Sequence, residues 1–165
     1  MPISIIYARS INNTIGDQGQ VPWNLPAEYS NFLSIVKGNA VIMGRLTYED
    51  HLDEIPNCLS IVVSQQNNYP VANNVHVYKD LAEAISFASQ KYTNIFVIGG
   101  VNLITEALEQ AHQVYETIVD ARIEGDTCLP PIDYSKWDTK LIKKFTRDSK
   151  HKYAFKIYHH QRIIS

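Results

Sequence analysis

The chain is 165 residues long, 45% apolar and 19% charged, enough to bury one hydrophobic core and too apolar for a disordered segment. A net charge of −2 leaves no basic footprint for nucleic acid, and no apolar run approaches the roughly 20 residues of a membrane helix. Cys58 and Cys128 form no CxxC pair and the six histidines show no ligand spacing, so a reduced, cytoplasmic protein without a metal site is expected.

Residues 3–8, ISIIYA, read as a buried strand, and the N-terminus carries no signal-peptide pattern. From Arg9 to Gln20 the turn formers Asn12, Asn13, Gly16 and Gly19 make a loop that suits a lid and an ordinary strand-to-helix connection equally. Pro26 opens a helix over 26–36, because its missing N–H would be unpaired at the first helical position anyway. Glu28 shares the apolar stripe of that helix with Phe32 and Ile35. A carboxylate there either answers the helix dipole, worth about 0.3–1 kcal/mol, or meets a ligand. Gly38 suits the left-handed residue that ends the helix.

AVIMG (40–44) reads as a strand buried on both faces, feeding a helix that starts at Arg45-Leu46-Thr47 and runs through Asp50. A strand ending in Gly before a helix N-terminus is a generic anion site, to which Arg45 adds a cation and Thr47 a hydroxyl. LSIVVS (59–64) makes a third strand, and a weak one follows at 75–78 between Asn-rich turns. Asp80 caps a packing helix with Leu81, Ala84, Ile85 and Ala88 on one face. NIFVIGG (94–100) is a buried strand ending in paired glycines, before a helix with Ile104, Ala107, Leu108 and Ala111 inward. Residues 112–130 alternate enough for a long strand with a turn at Glu124-Gly125-Asp126-Thr127. Segments 139–146 and 153–163 read as paired strands joined by a charged turn, with His159 and His160 pointing to opposite faces. The basic residues between Lys136 and Arg162 read as a solvated face.

In this order, PWNLPAE (22–28), MGRLT (43–47), the Gly99-Gly100 strand end and EGDT (124–127) resemble the dihydrofolate reductase family over essentially the whole chain. The resemblance implies an α/β fold: a mixed, mostly parallel central sheet with an antiparallel C-terminal edge and helices on both faces, in one domain over residues 1–165. It implies NADPH-dependent reduction of 7,8-dihydrofolate to tetrahydrofolate, with hydride transfer to pterin C6 and protonation at N5. Glu28, Trp23 and Thr117 are then the catalytic residues. Ile6, Tyr7, Phe32 and Ile98 join Glu28 and Thr117 around the pterin. NADPH is expected on Ala8, Ile15, Gly16, Gly44, Arg45, Leu46, Thr47, Ser64, Gln65, Lys79, Ile98, Gly99, Gly100, Val101, Asn102 and Leu103. Asp126 is expected as the lid's partner, and a cis peptide between Gly99 and Gly100. The implied partner is a small-molecule pterin or folate, bound by a monomer that engages neither nucleic acid nor membrane.

Some positions depart from the family pattern. The family's arginine for the substrate's glutamate carboxylate aligns with Cys58, and Leu33 and Asp53 replace nearby basic residues. Tyr7 stands where a small residue is expected. Leu46, Val101 and Asn102 replace glycine, basic or polar residues, leaving NADPH preference to Arg45, Ser64 and Lys79. Two further readings therefore stay open: a reductase of a pterin without the glutamate tail, and a non-catalytic folate or nucleotide binder.

Overall fold

The computed structural model describes residues 3–50, 55 and 57–163. In chain order the elements are β1 (Ile3–Ser10), β2 (Thr14–Gly16), α1 (Pro26–Val36), β3 (Ala40–Gly44), α2 (Arg45–Asp50), β4 (Leu59–Val63) and β5 (Val75–Tyr78). Then follow α3 (Leu81–Ser89), β6 (Ile95–Gly99), α4 (Val101–Leu108), β7 (Gln113–Val119), β8 (Thr127–Cys128), β9 (Trp137–Phe145) and β10 (Phe155–Arg162). Among the described residues, eight strands form one sheet in the order β5-β4-β3-β6-β1-β7-β10-β9. The strands from β5 to β7 in that order run parallel, and β10 lies antiparallel to both β7 and β9. The expected parallel body and antiparallel C-terminal edge are both present.

Burial explains the layering. The inner strands are apolar on both faces because helices cover both. On one face, Leu81, Ala84 and Ala88 of α3 and Ile104 and Ala107 of α4 pack on Ile5, Ile42, Ile61 and Val97. On the other, Val36 of α1 and Tyr48 of α2 pack on Ile6, Val41, Met43 and Phe96. Each fully buried aliphatic side chain contributes about 1.5–3 kcal/mol. Local signals hold at the helix ends too. Asp80 Oδ1 accepts from the Glu83 N–H at 2.8 Å, and Gly38 ends α1 with φ +78°.

Two expectations need correction. β7 stops at Val119 instead of running on toward Thr127. There the Asp120 N–H bonds Ala154 O at 2.9 Å and the Ala121 N–H folds back on Val119 O at 2.8 Å, so the chain leaves the sheet. It returns as β8, which pairs with β2 in a separate antiparallel ladder. Nor is the basic C-terminal stretch uniformly solvated. Arg162 stacks over Trp137 at 4.3 Å and donates to Ala111 O and Leu108 O, while Lys143 Nζ bonds Asn31 Oδ1 at 3.0 Å.

The β2–β8 ladder ties the loop after β1 to the segment after β7. Asn12 and Ile123 exchange hydrogen bonds of 3.0 Å each, and Thr14 Oγ1 donates to Ile123 O at 2.8 Å. Gly125 lets the two segments approach: a Cβ there would stand 2.6 Å from Gly16 O and 2.6 Å from Thr14 Cγ2. Gly125→Ala is therefore expected to push β2 off β8 at a cost of about 1–3 kcal/mol. Faster hydrogen exchange confined to residues 12–20 and 121–128 would report it; unchanged exchange there would contradict it.

Candidate active site

Parallel strands aim their C-terminal ends at one edge of a sheet, where ligands of open α/β folds bind. Here that edge holds Ala8, Gly44, Val63 and Gly99, and a cavity of about 1050 Å³ opens along it. This is the upper end of the range for small-molecule sites and leaves room for two ligands side by side.

Ile6, Phe32, Ile35, Ile98, Tyr115 and Ile157 make an apolar pocket at one end, with Glu28 set among them. Glu28 lies in the first turn of α1, its N–H bonded to Leu25 O at 3.0 Å. Among the described residues no side chain hydrogen-bonds its carboxylate, and burial alone raises its pKa from 4.5 to about 7. A raised folded-state pKa gives stability that is complete below the unfolded value and lost as pH rises through the folded one. The free protein should thus lose stability between about pH 4.5 and 7, the two ends of that shift. Glu28→Gln should lack this component, so its stability relative to wild type rises over that window and then levels. Urea melts across the window test this; parallel curves would contradict it.

Trp23 and Thr117 border the same pocket. Thr117 is buried, and Trp23 Nε1 is a buried donor without a partner among the described residues. An unpaired buried N–H costs about 1–3 kcal/mol, which a bound polar group or water would relieve. Tyr7 lines the cavity as expected of its place on β1, while strand alternation sends its ring toward the opposite face, among Ile3, Ile5 and Trp137. A bulky side chain thereby replaces the expected small one without filling the pocket.

That opposite face holds a polar network that the sequence reading missed. Glu116 Oε2 accepts from Tyr7 Oη at 2.7 Å and Arg9 Nε at 2.9 Å, and His160 Nε2 lies 2.9 Å from Oε1. Burial pushes the Glu116 carboxyl up, but the bonds from His160, Tyr7 and Arg9 outweigh it and hold the group below its ordinary range. Tyr134 Oη lies 2.8 Å from Tyr7 Oη, and its ring stacks on His160 at 3.6 Å. Burial drives the Tyr7 hydroxyl far above its usual pKa, so it stays a neutral donor. Alternation puts Glu116 on the face opposite Tyr115 and Thr117, but only its pairing with Tyr7 across the ladder shows what it meets there.

At the other end of the cavity, Gly44, Arg45, Leu46, Thr47, Gln65, Lys79, Gly99, Gly100, Val101, Asn102 and Leu103 line an elongated furrow. The Gly99-Gly100 peptide is cis, as expected. Gly99 has φ +147°, and a Cβ on it would stand 3.0 Å from Thr47 Oγ1, so strand end and helix start meet where only glycine fits. A Cβ on Gly100 would meet nothing within 4 Å, which leaves a bare backbone facing the start of α4. Such a cradle suits a pyrophosphate. Arg45 Nη1 pairs with Glu49 Oε2 at 3.0 Å, and Tyr69 Oη donates to the same oxygen at 2.7 Å. An exposed pair of this kind is worth about 0–1 kcal/mol, so the guanidinium can turn to a phosphate. Ser64 is the expected cofactor residue that does not line the furrow: it is buried, and its Oγ accepts from the Gln66 N–H at 3.2 Å.

Ile15 and Gly16 lie on the lid side of the cavity with Gln18, Gly19, Gln20 and Val21. Asp126 receives the Gln18 N–H on both oxygens, at 3.2 and 3.1 Å. The sequence places Gly19 and Gln20 in the lid loop but gives no site role to Gln18, Val21, Asn31, Tyr115 or Ile157. Period-two spacing from Thr117 finds Tyr115, and helical spacing from Glu28 finds Asn31.

An elongated furrow with room for a dinucleotide thus abuts an apolar pocket that holds a carboxylate. The family model described as dihydrofolate reductase matches residues 2–162. The chain is 31% identical to dihydrofolate reductase of Haemophilus influenzae over 93% of this chain and 94% of that one. It is 36% identical to that of Buchnera aphidicola over 94% and 93%. The solved dihydrofolate reductase from Enterococcus faecalis complexed with NADP(H) and RAB-propyl superposes with a TM-score of 0.89 at 28% identity, covering 99% of this chain and 97% of that one. The chain belongs to the dihydrofolate reductase family and is an NADPH-dependent oxidoreductase.

Proposed function

We propose that this chain reduces 7,8-dihydrofolate to tetrahydrofolate with Glu28 as the residue that orients the pterin. The observation that carries this reading is a carboxylate set in an apolar pocket with no side-chain hydrogen-bond partner among the described residues, beside a furrow shaped by Gly99. Glu28 accepts from the ring N–H and amino group of the pterin's pyrimidine edge, a directional, charge-assisted contact. Thr117 steadies that amino group through a water. Ile6, Phe32 and Ile98 exclude solvent from the reacting ring, and Ala8 borders the junction of the two ligands. The Trp23 N–H holds a water from which N5 takes its proton.

When bound, NADPH supplies the hydride that reaches C6. Gly99, Gly100 and the α4 N-terminus receive its pyrophosphate, and Arg45, Thr47 and Lys79 hold phosphate charge. With Ser64 turned away and Asn102 neutral, NADPH is preferred over NADH by a reduced margin. The lid, Ile15 to Val21, closes over the nicotinamide with Asp126 as its latch. The protein acts as a single-domain monomer in the cytoplasm, away from nucleic acid and membrane; among the described residues no helix is long and apolar enough to cross a bilayer.

The substrate's tail is held less firmly. Cys58 is half-buried and donates its thiol to Val36 O at 3.2 Å; burial keeps that thiol neutral, and a thiol in either form supplies no cation. Leu33 on α1 is apolar, and Asp53 lies outside the described residues. Purified protein is tested by loss of NADPH absorbance with dihydrofolate and with a dihydropterin lacking the glutamate tail. A preference for dihydrofolate is expected, smaller than an arginine on the glutamate carboxylate would give. Equal use of the small pterin would transfer the reading to a reductase of untailed pterins, and no oxidation of NADPH with either would overturn it.

A further inference from the structure

Helix α1 begins without a side-chain cap: Leu25 stands at the capping position and Pro26 follows. The first N–H groups of a helix have no acceptor inside it and must find one elsewhere. For Ala27 the acceptor comes from the turn between β9 and β10, where His151 Nε2 receives its N–H at 3.0 Å. An imidazole nitrogen accepts only when it carries no proton, so the ring hydrogen must sit on Nδ1. That nitrogen lies 2.8 Å from Asp148 Oδ1. The chain is therefore directional. The carboxylate fixes the tautomer, the tautomer creates the acceptor, and the acceptor holds the first turn of α1.

The turn that carries this pair is itself tightly built. Asp148 and His151 exchange backbone hydrogen bonds of 3.1 and 3.2 Å, and Asp148 Oδ1 also takes the Lys150 N–H at 2.9 Å. The His151 side chain is 11% exposed and the Asp148 side chain 58%, so the imidazole reaches inward from a solvated anchor. Its ring lies 6.3 Å from that of Phe155, which shares a small apolar cluster with Leu25, Ala27 and Trp23.

Glu28 is the residue after Ala27. Its carboxylate has no side-chain hydrogen-bond donor among the described residues, so its place is set by the backbone of this turn. A cap anywhere stabilises the helix it closes. Here the capped turn carries a group whose aim must hold to about 0.5 Å to work. We infer that His151 and Asp148 are positioning residues for Glu28, acting through the Ala27 N–H; the inference rests on Glu28 being the pterin carboxylate.

The acceptor logic gives the test. In His151→Gln the amide oxygen can still receive the Ala27 N–H, whereas His151→Lys offers only donors. His151→Lys is expected to lower the single-turnover rate with dihydrofolate by about tenfold per folded molecule, with KM for NADPH within about twofold of wild type. His151→Gln should restore most of that rate. Asp148→Ala, at an exposed position, should lose about two- to threefold as the tautomer is released. Equal rates in wild type and His151→Lys, or a His151→Gln as impaired as the Lys variant, would overturn the inference. If the Lys variant fails to fold, an Asp148→Ala rate equal to wild type would overturn it. Glu28→Gln measured alongside separates the two claims: a near-normal rate there refutes the role of Glu28, whereas its collapse beside an unimpaired His151→Lys refutes only the positioning pair.

Discussion

Glu28→Gln is expected to lower kcat/KM for dihydrofolate by about 10²- to 10³-fold at neutral pH, with NADPH affinity little changed. The substitution keeps size and one acceptor but removes the charge. A charge-assisted hydrogen bond is worth about 1.5–3 kcal/mol, and losing a group that orients proton transfer adds to that. The carboxylate's pKa of about 7 in the free protein comes from burial, so pterin donors arriving at the pocket compensate the cost of ionising it. The wild-type dependence of substrate affinity on pH near 7 should therefore vanish in the Gln variant. Glu28→Asp, one methylene shorter, should retain the pH dependence with an intermediate loss. Stopped-flow single turnovers across pH decide it, and near-normal Gln rates would remove Glu28 from the mechanism.

Gly99→Ala and Gly100→Ala should both abolish tight NADPH binding, for different physical reasons. At Gly99 the backbone sits at φ +147° and a Cβ would press to 3.0 Å from Thr47 Oγ1, so the chain itself must shift. Strain of this kind costs about 1–3 kcal/mol and should lower both stability and NADPH affinity. At Gly100 a Cβ meets nothing within 4 Å, so stability should hold. The added methyl would stand where the cofactor's pyrophosphate approaches, so NADPH affinity should fall at least about tenfold. Gly44→Ala is the control for stability alone, because its Cβ would make only ordinary contacts within the protein, starting at 3.7 Å from Gly100 N. Thermal melts paired with NADPH titration read these out. A destabilised Gly100→Ala, or one binding NADPH normally, would contradict the cradle.

What could be read from the sequence was what short-range physics sets. α1, β3, α2 and β5 have the bounds that proline placement, β-branched runs and turn residues suggested. The glycine pair was legible because few positions tolerate the backbone it adopts. What stayed hidden depends on long-range partners. Glu116 reads as an ordinary strand residue until Tyr7, Arg9 and His160, each more than 40 positions away, converge on it. His151 reads as part of a charged turn until α1, 124 positions earlier, is seen to begin on its ring. Ser64 shows the converse. Its motif position pointed to the cofactor, but one hydrogen bond to the Gln66 N–H turns it into the local bend.

The most direct test of the central claim follows the hydride itself. Protein, dihydrofolate and NADPH deuterated at the transferable position of the nicotinamide are mixed, and the label is located in the product. The account expects tetrahydrofolate carrying deuterium at C6, formed one for one with NADP⁺. Oxidation of the cofactor without labelled tetrahydrofolate, or label at any other carbon, would contradict it.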